Sequence, residues 1–280
     1  MKNLKDYKNN VYSQHGEDGI IEEILKRLSQ NNDFQYCEFG AWDGIHLSNT
    51  CALIKKNDCK ALLIEPNKKK YNELCKNFPS NKIIKLNNFV EVKGKNSLDN
   101  LLKENEFNVN FDFLSIDVDS IDYYIFESLK IYKPKVICIE FNPTIPNEVY
   151  FVQKNNGSIN QGSSAKALIE LANKKKYFVV CATETNLFFV HEDFKKNVIG
   201  DVDLSIDDLI NDENVKNFIF YGYDGSIFTS KQIRLPWHNF LVKDINPLNR
   251  FFRKYPRNYN FFEKILFKIL RRLNNFFNRS

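Results

Sequence analysis

Four apolar runs of strand length in this chain each end on a carboxylate: QYCE at Glu38, CKALLIE at Glu65, FDFLSID at Asp117 and KVICIE at Glu140. Segments with helical spacing of apolar residues lie between and after them, over 48–56, 68–77, 98–103 and 122–129. Runs that are apolar throughout suit strands buried on both faces, and their alternation with helices is the pattern of a doubly wound, mostly parallel α/β sheet, Rossmann-like in form. Ligands of such sheets bind beyond the carboxyl ends of the strands, which is where all four acids fall.

The first run continues as QYCEFGAWDGIHLSNT, residues 35–50, a strand entering a glycine-bearing turn and then a helix expected from Leu47 onward. Gly40 and Gly44 permit positive φ and close backbone approach, while Glu38 and Asp43 supply acceptors. The turn reads as a cofactor cradle or as an ordinary connection, and the local residues leave both open. Glu65 stands 25 positions after Gly40, the place where an acid on the second strand accepts from ribose hydroxyls. Asn87, Asn88 and Phe89, after the third strand at 82–86, are candidates for an adenine region.

Upstream, 11–28 places Ile20, Ile21, Ile24, Leu25 and Leu28 on one helical face behind the polar cluster SQHGED. Asp18 is a candidate cap, and Gln14, His15 and Glu17 are candidate substrate contacts folded over the site. Downstream, 157–164 is a polar loop, 165–175 a helix, and 177–181 with 186–190 a pair of strands joined by a short turn, which predicts an antiparallel strand at the sheet edge. An acidic stretch, 200–217, and an aromatic-rich one, 218–240, complete a domain expected over 1–240, followed by a basic tail over 241–280.

A chain of 280 residues, 43% hydrophobic, has ample material for a large core. The six cysteines lack metal-finger spacing and suit reduced thiols. MKNLKDYKNN has no secretory apolar core, and no stretch has the length of a spanning helix, so a cytoplasmic location is expected. The net charge of +5 belongs to the tail: residues 241–280 carry +8 and the rest −3, which argues against a nucleic-acid partner for the main domain.

YSQHGEDGI, EFGAWDGIHLSNT and SIDVDSIDYYIFESL, with Glu65 and IEFNP, together resemble the class I S-adenosylmethionine-dependent methyltransferases, and their FkbM-type, sugar-modifying branch, over residues 11–192. The turn departs from D/E-x-G-x-G-x-G in carrying Trp42 and Asp43 where a second glycine would stand. The resemblance implies that Glu38, Gly40 and Gly44 line the methionine moiety of S-adenosylmethionine, that Glu65 holds the ribose, and that Asp117 lies beside the reacting methyl. A nicotinamide-dependent sugar dehydrogenase is the competitor on the same fold, but it would carry G-x-G-x-x-G at the first turn, which EFGAWDG lacks.

Asp117, Glu140 and Asn142 offer the hard oxygen donors that Mg²⁺ or Mn²⁺ takes; the same carboxylates could instead contact only the cofactor or cap loops. Asp119 is the preferred general base, with His191 at the end of the last strand a second candidate facing the acceptor. The other histidines, His15, His46 and His238, read one by one as structural or surface residues.

From Asn260 to Arg279, apolar residues recur at helical spacing opposite Lys264, Lys268, Arg271 and Arg272. This amphipathic helix suits peripheral contact with an anionic membrane, at its inner face for a cytoplasmic protein, or contact with its own domain or a second copy. The expected activity is O-methylation of a sugar or sugar nucleotide destined for surface polysaccharide. The alternative from another class is a non-catalytic, methyltransferase-like interaction protein recruited to a membrane by its tail.

Overall fold

The computed structural model describes residues 2–28 and 33–277; Arg279, within the expected tail helix, lies outside them. The chain divides into two units, Met1–Asn214 and Val215–Ser280, so the aromatic-rich stretch 218–240 belongs to the second.

In chain order the first unit contains α1 (Glu17–Leu28), β1 (Phe34–Phe39), α2 (Cys51–Lys56), β2 (Cys59–Ile64), α3 (Lys68–Asn77), β3 (Ile83–Leu86), α4 (Leu98–Glu104), β4 (Phe113–Ile116), α5 (Asp122–Ser128), β5 (Val136–Glu140), α6 (Ala165–Lys174), β6 (Tyr177–Ala182), β7 (Asn186–His191), α7 (Lys195–Ile199) and α8 (Ile206–Leu209). Its seven strands form one sheet in the order β3-β2-β1-β4-β5-β7-β6. β1 to β5 are parallel, and the antiparallel pair expected at the edge is β6–β7. Within that pair the reversed strand is β7, seated between β5 and β6 and antiparallel to both. This is the doubly wound, mostly parallel α/β sheet expected from the sequence.

Alternation along the strands divides the core in two. Phe39, Leu62, Leu114, Ile137 and Phe189 face α4, α5 and α6 through Leu101, Phe126 and Leu168. Tyr36, Leu63, Phe113, Cys138 and Phe188 face the other side, where Ile20, Ile21 and Ile24 of α1, Leu53 of α2, Leu74 of α3 and Val198 of α7 cover them. Because both faces are covered, the strands carry apolar side chains at consecutive positions. The six cysteines are free thiols, five of them buried.

α2 begins at Cys51, four residues later than expected. The reason is a competing acceptor: Glu38 binds the Ser48 and Thr50 hydroxyls and the Asn49 N–H, holding 48–50 as a loop. Asp18 likewise does not cap α1. Its Oδ2 accepts N–H bonds from Val11, Tyr12 and Ser13 at 2.7–2.8 Å, folding the preceding loop back on the helix.

The second unit holds two small hairpins, β8 (Ile219–Tyr221) with β9 (Ile227–Thr229) and β10 (Arg234–Leu235) with β11 (Phe240–Leu241), followed by the helix α9 (Phe261–Phe277). Among the described residues no helix is long and apolar enough to cross a membrane.

The order of strands makes β1 and β4 neighbours, and Gly40 shows how close their ends come. Its φ is +78°, and a Cβ there would lie 1.7 Å from the Asp117 carbonyl oxygen. Gly40→Ala should therefore destabilise the fold by about 3 kcal/mol, measured as a lower urea midpoint at unchanged m-value. An unchanged midpoint would show that the two strand ends separate freely.

Candidate active site at the strand ends

The glycine turn closes on itself. Gly40, Trp42, Gly44 and Leu47 all have positive φ, a density of left-handed residues that only dense hydrogen bonding sustains. The Gly40 and Ala41 N–H groups donate to the Ile64 carbonyl, each at 3.1 Å. Asp43 Oδ1 accepts from the Ile45 and His46 N–H groups at 3.0 and 2.8 Å. Gly44 is required by packing, since a Cβ would sit 2.5 Å from Leu74 Cδ1 and 2.6 Å from the Phe78 ring. Trp42, which replaces a motif glycine, lies exposed with the Lys70 ammonium 4.7 Å from its ring centroid.

Both acids assigned to the cofactor are buried with partners of their own. Glu38 Oε2 accepts from Ser48 Oγ at 2.6 Å and Thr50 Oγ1 at 2.5 Å, and Oε1 from the Asn49 N–H at 2.8 Å. Burial pushes its pKa up against these three donors. Glu65 bridges two backbone segments, taking the Trp42 N–H on Oε2 at 2.8 Å and the Asn67 N–H on Oε1 at 2.6 Å, at 3% exposure. Each pins the turn to the ends of β1 and β2.

At the ends of β4 and β5 the situation is the reverse. Ile116 pairs with Ile139, so Asp117 stands level with Glu140 and their carboxyl groups lie side by side. Asp119 joins them: carboxylate oxygens of all three lie within 4.8 Å of one another. Asp119 reaches this position because Asp122 accepts the Val118 and Ser120 N–H groups at 2.8 and 3.0 Å, bending the loop so that Asp119 takes φ +58°. Burial first, and the neighbouring carboxylates second, push the pKa values of Asp117 and Glu140 well up; burial likewise raises Asp122 to about 6. Among the described residues no lysine or arginine forms an ion pair with any of the three clustered acids. The cluster is a pre-formed set of carboxyl oxygens.

The segment 10–18 lies over the same end of the sheet. Glu17, fully buried, accepts from Thr183 Oγ1 at 2.7 Å and Asn186 Nδ2 at 3.3 Å on one oxygen and from the His15 N–H at 2.6 Å on the other. Asn186 is the register partner of Glu140, so Glu17 is a strut that docks this segment beside the cluster. His15, with Nδ1 3.6 Å from Glu184, and the exposed Gln14 are left at the rim.

Two candidate residues fall elsewhere. His191 closes a strand that runs backwards: Glu140 pairs with Asn186 and Val136 with Val190, which sets His191 at the amino end of β5, on the order of 15 Å from Glu140. There it packs edge-on against Tyr177 and its Nδ1 lies 3.2 Å from Asp193. It cannot face an acceptor at the carboxyl ends. Asn142 is spent on its own loop, its Oδ1 accepting from the Thr144 N–H and hydroxyl and its Nδ2 donating to the Gln161 carbonyl; Asp119 occupies the third position beside Asp117 and Glu140. Asp18, Asp122, Thr183 and Asn186 shape the site without having been singled out as site residues. Only Asp122 had a local signal, an acid opening a helix directly after a strand-end loop.

Raised carboxyl pKa values imply a stability cost for ionisation that is absent below the unfolded value near 4.5 and grows as pH rises through the folded one. Glu140→Gln should therefore raise the melting temperature by roughly 3 °C at pH 8 and change it little at pH 5. A variant less stable than wild type at pH 8 would contradict the electrostatic description of the cluster.

No protein-family model matches the chain, and no curated protein matches it. Among solved structures it is similar to the CMeT domain of the citrinin polyketide synthase (12% identity, 62% of this chain and 51% of that one, TM-score 0.44). It is also similar to M. capricolum TrmK in complex with S-adenosyl-homocysteine (16% identity, 61% and 65%, TM-score 0.36) and to a TehB-like SAM-dependent methyltransferase from Corynebacterium glutamicum (11% identity, 67% and 92%, TM-score 0.39). The chain spans about half the length of the first of these. None of the three exceeds 16% identity or a TM-score of 0.44, and the fold assignment rests on the sheet itself.

Proposed function

We infer that the protein is an S-adenosylmethionine-dependent O-methyltransferase acting in the cytoplasm on a hydroxyl of a sugar or sugar nucleotide. The observation that carries this is the convergence of Asp117, Asp119 and Glu140, without a basic partner among the described residues, at the ends of β4 and β5 beside the β1–β4 switch point. Three carboxylates held together against their own repulsion fit a positively charged occupant. The sulfonium and ammonium groups of S-adenosylmethionine carry that charge, and so does a divalent cation. The sugar acceptor follows from the resemblance of YSQHGEDGI and its companion motifs to the FkbM-type branch.

Bound at this site, S-adenosylmethionine supplies an activated methyl group, and Mg²⁺ or Mn²⁺ held by Asp117, Asp119 and Glu140 would supply a Lewis acid that lowers the pKa of an acceptor hydroxyl. The protein's share is positioning and proton transfer. Asp117 offers negative charge next to the end of β1. Asp119, the exposed member of the three, is the group that accepts the hydroxyl proton. Gln14 and His15 stand at the rim to contact the acceptor, on a segment anchored by Glu17. Glu38 and Glu65 act through the turn they rigidify, leaving the cofactor the backbone and rim of 40–47.

Calorimetric titration of the full chain with S-adenosylmethionine and S-adenosylhomocysteine tests this directly. Both should bind, and Asp117→Asn should weaken S-adenosylmethionine about tenfold, equivalent to roughly 1.4 kcal/mol. Binding of neither would defeat the enzyme reading. Binding without turnover on any sugar acceptor would favour a non-catalytic interaction protein. For the metal, activity lost on EDTA treatment and restored by Mg²⁺ or Mn²⁺ is expected, whereas undiminished turnover after chelation would remove it from the site.

A further inference from the structure

We propose that α9 docks the protein on an anionic lipid bilayer, lying in the plane of the interface. The helix has three faces. Glu263 and Phe267 turn toward their own unit, where Phe267 packs on Phe252 and Tyr259 and Glu263 binds the Lys254 ammonium at 2.6 Å and the Asn260 N–H at 2.8 Å. At 3.6 residues per turn, Ile265, Ile269, Phe262, Leu273, Leu266 and Leu270 then sweep an arc of roughly 140°. Every one of these six is at least 40% exposed, Phe262 the most at 80%. Lys264, Lys268, Arg271 and Arg272 fill the remaining arc, and among the described residues none has an ion-pair partner.

Charge complementarity selects the occupant. The only acid of α9 is Glu263, which is buried and neutralised within the unit, and the other acids of residues 215–280, Asp224 and Asp244, are held by Ser226 and by Arg253 with Asn246. The helix surface therefore presents cations beside a broad apolar face with no exposed carboxylate. An apolar protein groove without acids at its rim would cover the arc but leave the cation row unmatched, and a nucleic acid would take the cations but leave the apolar arc in water. An anionic bilayer receives both, acyl chains under the apolar arc and lipid phosphates along the cations. This inference stands independently of the proposed activity, since it uses no residue of the sheet.

Co-sedimentation of the full chain with vesicles of phosphatidylcholine, and of phosphatidylcholine mixed with phosphatidylglycerol, tests it. Each cation at an anionic surface raises affinity roughly fivefold, so Lys268→Gln with Arg271→Gln should cut binding to the mixed vesicles by about 25-fold. Leu266→Glu with Leu270→Glu should abolish it. All four side chains are exposed, and circular dichroism should report an unchanged fold in both variants. Equal recovery of wild type with the two vesicle types would overturn the proposal, as would full vesicle binding by the leucine variant. Lipid-independent dimerisation that the leucine variant abolishes would overturn it in favour of a second copy on this face.

Discussion

The ends of β1 and β4 meet at a contact that only a glycine can occupy. With the Asp117 carbonyl 1.7 Å from where a Gly40 Cβ would stand, the backbone of one strand end is laid directly on the other. Much of the site follows from that approach. It draws the first turn and the β4–α5 loop to one place, with β2 and β3 on one side and β5 on the other. Asp117 is carried into register with Glu140 and, through Asp122, Asp119 is folded in beside them. The switch point of the sheet thereby gathers three carboxyl groups.

Carboxylates around this point divide into two kinds by their partners. Glu17, Asp18, Glu38 and Glu65 are buried and bound by backbone N–H groups, hydroxyls or amides of nearby loops. These bonds hold irregular backbone in place much as a cap holds a helix end, although Asp18 Oδ1 is buried without a partner. Asp117, Asp119 and Glu140 have chiefly one another. A buried acid surrounded by donors is structural scaffolding, whereas acids that face chiefly one another offer their oxygens to a cation. Rigid loops of the first kind keep the second kind close despite its repulsion.

The sheet was legible in the sequence because its physics is local. Strands covered on both faces must be apolar at consecutive positions, and each such run ends where irregular loops with polar groups begin, hence the acids at Glu38, Glu65, Asp117 and Glu140. The roles of those acids were not legible, because they depend on which donors the fold brings near. Ser48, Asn49 and Thr50 follow Glu38 closely, yet nothing in their types says that they will fold back on it and delay α2 to Cys51. The position of His191 was not legible because the last residue of a reversed strand lies at the opposite end from the last residues of parallel ones. Asn142 gives its oxygen to the N–H and hydroxyl of Thr144. Asp119, chosen for its place after a strand-end acid, sits beside Asp117 because its loop is bent by Asp122, three residues further on.

The central claim is that the cationic end of a methyl donor is received where β1 meets β4. Its most direct test is a crystal structure of the protein grown with S-adenosylhomocysteine. Ligand density over the carboxyl ends of β1 and β4, with the amino-acid portion beside Asp117, is the predicted result. Density confined to another part of the sheet, such as the groove lined by Asp58, Lys60 and Lys82 at the amino end of β2, would contradict it.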